Sequence, residues 1–90
     1  MEGKLERIVY AVDDMGYRSS YFINPSFEDA VLGITGDGNL VYSFQKMVEQ
    51  LVKDDNMDET DAIEFIEFNT LRTVPYMPEP RPVVVYDLEY

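Results

Sequence analysis

The sequence predicts a small α+β domain: a mostly antiparallel β-sheet with two consecutive helices inserted before the last strand. Three observations carry this expectation. Asp37-Gly38 separates two short runs rich in β-formers, the local signature of a hairpin. Phe44, Met47, Val48, Leu51 and Val52 recur at i, i+3, i+4, i+7 and i+8, and a second, capped stripe begins at Asp58. Val83 to Leu88 (VVVYDL) then has the composition of a closing strand. Ninety residues accommodate one core, so residues 1–90 are read as one domain. With 46% hydrophobic residues the chain is too apolar to stay disordered, despite a net charge of −11.

Taken in order, Leu5 to Val12 (LERIVYAV) reads as a strand on its β-branched and aromatic content. Its apolar groups fall on both faces, as in a central or doubly covered strand. Asp13-Asp14-Met15-Gly16 reads as a turn, and Tyr17 to Ile23 (YRSSYFI) as a returning second strand, broken by Asn24-Pro25-Ser26. Asp29 to Thr35 and Leu40-Val41-Tyr42 flank the Gly36-Asp37-Gly38-Asn39 turn. Ser43 caps a helix running to Asp54 or Asp55. Asp58 caps the next, with Asp61 three residues on as an acidic capping box and Glu59 complementing the helix dipole. Ala62, Phe65, Ile66 and Asn69 make one stripe, widened by Ile63, and Phe68 lies off it. This helix is expected to decay between Asn69 and Arg72, before Pro75. Tyr76 to Pro82 (YMPEPRP) carries prolines at alternating positions and reads as an extended connector into the last strand.

Composition removes whole classes of chemistry. There is no cysteine and no histidine, so disulfides, zinc fingers, iron–sulfur ligation and imidazole-based catalysis are out of reach. The opening Met1-Glu2-Gly3-Lys4 is not followed by the apolar run of a signal peptide, and no apolar stretch is long enough for a bilayer. The expected compartment is the cytoplasm.

The charge is unevenly placed. Asp54, Asp55, Asp58, Glu59, Asp61, Glu64 and Glu67 supply seven acids in fourteen residues without one base. A solvated helix pair is the plain reading; a surface used because it is negative is the sharper one, since crowded carboxylates repel each other. Such a surface repels nucleic acid and anionic membrane and attracts basic proteins. A calcium loop starting at Asp54 fails: its sixth position is Glu59 in place of glycine, and its twelfth is Phe65 in place of glutamate. The adjacent pairs Asp13-Asp14 and Asp54-Asp55 do not converge on one ion. No cofactor, metal or catalytic residue is expected, and the chain is not read as an enzyme. Glycines 33, 36 and 38 do not form a phosphate loop, for no Lys-Ser/Thr follows and a strand comes next. Pro75 and Pro78 have the spacing of an SH3 ligand, but Arg81 falls one place late. What remains is nucleic-acid mimicry. Asp61, Glu64 and Glu67 step along a helix at i, i+3, a spacing close to that of phosphates, and Phe68 or Tyr76 adds an aromatic anchor.

The stretch Ala30 to Tyr86, with AVLGITGDGNLVYSFQKMVEQL, MDETDAIEFIEFNTLRTVPYM and VVVYDL, resembles a family of small uncharacterised proteins of phages and integrated mobile elements of Gram-positive bacteria. Its most specific part is AIEFIEFNTLRTVPYM, Ala62 to Met77. The resemblance covers about two thirds of the chain and leaves out the first 28 residues. It implies a genomic setting in which small acidic proteins inhibit host defence nucleases, CRISPR effectors among them. It also draws attention to Asn69 as a helix-end residue, Arg72 as a partner for local acids and Tyr76 as a residue closing the core. The resulting expectation is a non-catalytic inhibitor whose partner-binding residues are Asp54, Asp55, Asp58, Glu59, Asp61, Glu64, Glu67 and Phe68, and whose partner is a basic surface of a host nucleic-acid-processing protein. The alternative is a structural or regulatory accessory protein acting as a homodimer through an unpaired strand edge.

Overall fold

The computed structural model describes residues 3–88; Met1 and Glu2, part of the opening read above, lie outside it. Helix α1 spans Lys4–Asp14, strand β1 Val31–Ile34, β2 Leu40–Ser43 and α2 Phe44–Asp54. Helix α3, Glu59–Phe65, runs into a π-helical turn, Ile66–Thr70, then α4, Leu71–Thr73, and a 3-10 turn, Val74–Tyr76. Strand β3, Val83–Val85, follows. The sheet order is β1-β2-β3, with β2 antiparallel to β1 and parallel to β3. The fold is therefore α+β, with a mixed sheet whose last strand follows the helices.

The hairpin forms as its turn residues demand. Gly38 has φ +88, and Gly38 N–H donates to the Thr35 carbonyl at 3.0 Å. A Cβ there would meet the Tyr17 ring at 2.7 Å, so glycine is required twice over. Leu32 is bulged out of β1, since Val31 pairs with Tyr42 and Gly33 with Val41. Ser43 caps α2 as expected, its Oγ accepting from Lys46 N–H at 3.1 Å while donating to Asp87 Oδ1 at 2.6 Å. Met47, Val48 and Leu51 of α2 pack with Leu40, Tyr42, Phe22, Phe27, Ala62 and Ile66 in the core. Phe27 is wholly buried with φ +51, a left-handed conformation that a bulky side chain adopts only where packing enforces it.

Several sequence expectations are corrected. Leu5 to Val12 is not a strand but lies inside α1. Leu5, Ile8, Val9 and Val12 also recur at i, i+3, i+4 and i+7; that face packs inward, with Val12 buried and the others half-buried. The Glu28 carboxylate, distant in sequence, accepts from Leu5 N–H at 3.2 Å at the start of the helix. Tyr17 to Ile23 is not a strand either. Its neighbour is the connector bearing Pro78, Pro80 and Pro82, which lack the N–H groups of a ladder. Isolated bonds take the place of a ladder: Ser20 donates to the connector through both its N–H, to the Pro80 carbonyl at 2.8 Å, and its Oγ, to the Pro78 carbonyl, while Ser19 Oγ accepts from Leu40 N–H of β2 at 2.9 Å. The last strand is three residues, Val83–Val85, shorter than Val83–Leu88.

The helix expected to decay at Asn69 to Arg72 instead continues to Tyr76. Pro75 is accommodated because it lies in the first turn of a 3-10 segment, where its missing N–H is least needed. No helix among the described residues is long and apolar enough to cross a membrane.

Candidate partner-binding face

The predicted partner-binding residues are all solvent-exposed, but the structure does not gather them into one site. Asp54 closes α2 in an open groove apart from the others, with Asp29, Lys46, Glu49, Gln50 and Lys53, where three acids share the surface with two lysines. Asp55 and Asn56 form the bend after it. Asn56 has φ +55, a conformation asparagine tolerates better than most residues, and Met57 N–H turns back to the Leu51 carbonyl at 3.4 Å. Asp58 is committed to structure as the α3 cap, accepting from Thr60 N–H at 2.9 Å. The bond goes to Thr60, and no returning bond from Asp61 is found among the described residues. Glu59 and Glu67 stand exposed on the helical segment.

Asp61, Glu64 and Phe68 do come together. They line an open groove of about 370 Å³ with Met57, Phe65 and Asn69. Asp61, Glu64 and Phe68 are spaced i, i+3 and i+7, so the helical segment sets them along one face, and the half-buried Met57 and Phe65 give the groove an apolar floor. Phe68 is 56% exposed. Arg72, four residues on, lies with its guanidinium carbon 5.5 Å from the Phe68 ring centroid. It therefore engages an aromatic face; no ion pair to the neighbouring acids is formed among the described residues.

Sequence reasoning missed Met57 and Asn69. Met57, between the two helices, supplies the kind of flexible thioether side chain that fills an irregular apolar floor. Asn69 was read at the end of a helix. It lies within the π-helical turn, is exposed, and lines both this groove and a second one formed with Tyr21, Ile23, Pro25 and Met77. Such π turns arise where a helix takes one residue more than its hydrogen-bond register holds, and composition does not announce them. Tyr76 is corrected: at 90% exposure it does not close the core. Arg81, weighed as a peptide-motif arginine, is occupied within its own connector, donating to the Met77 carbonyl and Glu79.

Among the described residues no group of three acidic side chains is placed to hold a metal ion. The resolved electrostatic perturbations lie away from the groove. Burial pushes the Tyr42 hydroxyl up to about 12, and Lys4 holds the Asp29 carboxyl below its ordinary value. No family model, curated protein or solved structure matches the chain.

Proposed function

We propose that this protein is a non-catalytic, phage-type inhibitor that binds a basic, nucleic-acid-binding surface of a host defence nuclease. The observation that carries the reading is the juxtaposition of Asp61, Glu64 and exposed Phe68 on one helical face of a chain with net charge −11. Asp61 and Glu64 form no ion pair among the described residues and so are available to lysine and arginine, and the field of the whole chain accelerates encounter with a positive surface. The phage setting rests on the resemblance of Ala30 to Tyr86. The homodimer alternative has less behind it, because β1 presents a bulged edge, a device that discourages pairing with another strand.

The test is capture from host lysate at low salt, followed by competition. A nucleic-acid-binding protein should be retained, and excess DNA or RNA should release it. The triple variant Asp61→Asn, Glu64→Gln, Glu67→Gln should lose capture while keeping its circular dichroism. Capture that survives both nucleic acid and the triple variant defeats the mimic mechanism. A defined homo-oligomer by sedimentation, with no host protein retained, favours the accessory reading.

A further inference from the structure

The geometry points to a more specific occupant of the groove: an arginine side chain of the partner, preferred over lysine and stacked on Phe68. The inference rests on the reading of this face as a docking surface for a basic protein and names the chemistry that docks. Three features converge on guanidinium. The floor, Met57 and Phe65, is half-buried and apolar, suited to the methylene stem that long cationic side chains lay on apolar surface. The rim carries Asp61 and Glu64, complementary in charge to the head group and able to accept its forked N–H donors. The open end is Phe68, whose exposed ring already takes a guanidinium in this structure, that of Arg72 at 5.5 Å.

That last contact separates arginine from lysine. A planar, weakly hydrated guanidinium stacks on an aromatic face and still donates at its edge, whereas an ammonium is a compact, strongly hydrated charge. Arg72 thus shows what the ring accepts, and at the same time competes for it. An incoming arginine displaces Arg72 from Phe68 and adds the two carboxylates that Arg72 does not reach. Removal of Arg72 therefore strengthens binding of the partner's arginine, an effect opposite to that of removing a contributing contact.

The experiment uses the full chain and two fluorescein-labelled homopeptides of equal length, one of arginine and one of lysine, followed by anisotropy at low salt. The arginine peptide should bind roughly three- to fivefold tighter, the scale of one exposed cation–π contact. Phe68→Leu should abolish this preference with little change for lysine, and Phe68→Tyr should restore it. Arg72→Gln should widen the ratio in favour of arginine. Equal affinity for the two peptides, or a preference that survives Phe68→Leu, overturns the inference. If Asp61→Asn with Glu64→Gln weakens both peptides alike while Phe68→Leu changes nothing, the acidic face stands and the arginine anchor falls. If neither cationic peptide binds more tightly than a neutral one, the docking reading itself falls, and the inference with it.

Discussion

Helices α1 and α2 are each eleven residues long, yet they are held by different means. Helix α2 is written locally. Ser43 caps it, Lys53 in its last turn offsets the closing Asp54, and Met47, Val48 and Leu51 are buried along one stripe. Helix α1 has none of this. Its N-cap is Gly3, its last turn holds Asp13 and Asp14 with no base, and only Val12 is buried. Two acids at the negative end of a helix oppose it. What secures α1 comes from elsewhere in the chain: the Glu28 carboxylate on Leu5 N–H, and Lys4 on Asp29. Equal length conceals a difference in autonomy. One helix would persist as part of any compact form, whereas the other depends on the assembled body.

The sharpest way to break this comparison is to truncate the two apolar stripes. Leu51→Ala empties a site that is 1% exposed and should cost about 2–5 kcal/mol, moving the urea midpoint of the whole domain. Val9→Ala, at a half-buried position of α1, should cost about 1 kcal/mol or less, because there is little buried volume to vacate. Native-state hydrogen exchange should show the amides of α1 opening well before those of α2. Equal protection of both would mean that α1 is as integral as α2.

A second test concerns the junction between the regions. Tyr42 of β2 is fully buried, and its hydroxyl oxygen accepts from Phe22 N–H at 3.2 Å, tying the N-terminal segment to the sheet. Desolvation of the phenolate raises the hydroxyl to about 12. A group that holds its proton more tightly when folded contributes stability fully below its unfolded value, about 10, and loses it as pH rises through the folded value. Alkaline titration should therefore unfold the protein with a limb of about 2–3 kcal/mol above pH 10. Tyr42→Phe should be less stable at neutral pH, leaving Phe22 N–H without its acceptor, and should lack this limb.

These contrasts explain what the sequence disclosed. The segment Val31 to Phe65 was legible because its signals are local: Gly38 at a positive φ, Ser43 and Asp58 at helix starts, and the α2 stripe. Leu5 to Val12 and Tyr17 to Ile23 were misread because local and distant information conflict there. Ile8, Val9, Tyr10 and Val12 have strand composition, and the cap that favours a helix is supplied by Glu28, invisible to any window around Leu5. Tyr17 to Ile23 was read as extended, and its loss of a ladder depends on prolines some sixty residues away. In the groove, Asp61 and Glu64 followed from spacing, but Glu67, the third acid of that stripe, does not line it, and Phe68 takes its place. The continuation past Asn69 did not follow from spacing, since the π-helical turn is settled by how Ile66 and Thr70 bury themselves.

Removing the caps tests the difference at smaller scale. Ser43→Ala should cost about 1 kcal/mol, with a range of about 0.5–2, and more if the Asp87 carboxylate is left near the helix without its donor. Glu28→Ala should cost about 0.5–1 kcal/mol. The loss should be local, lowering helical signal and protection in α1 while the urea midpoint of the body barely shifts. A global shift equal to that of Ser43→Ala would place α1 within the same cooperative unit as α2.

The smallest effect should be the acid limb of α1. Lys4 Nζ donates to Asp29 Oδ1 at 2.9 Å, and this bond, then the charge of Lys4, and last that of Lys53, hold the Asp29 carboxyl below its ordinary value. A depressed folded value contributes stability that is present above the unfolded value and lost as pH falls through the folded one. Both side chains are more than half exposed, so salt should screen the contribution. Asp29→Asn should therefore lower α1 protection slightly at neutral pH and low salt, with the gap to the parent closing below about pH 4 and at high salt. Gln50, which accepts from Asp29 N–H at 3.3 Å, carries no charge and its link from this segment to α2 should persist throughout. A difference that survives both acid and salt would mean that Asp29 acts on α1 through backbone placement, with Lys4 incidental.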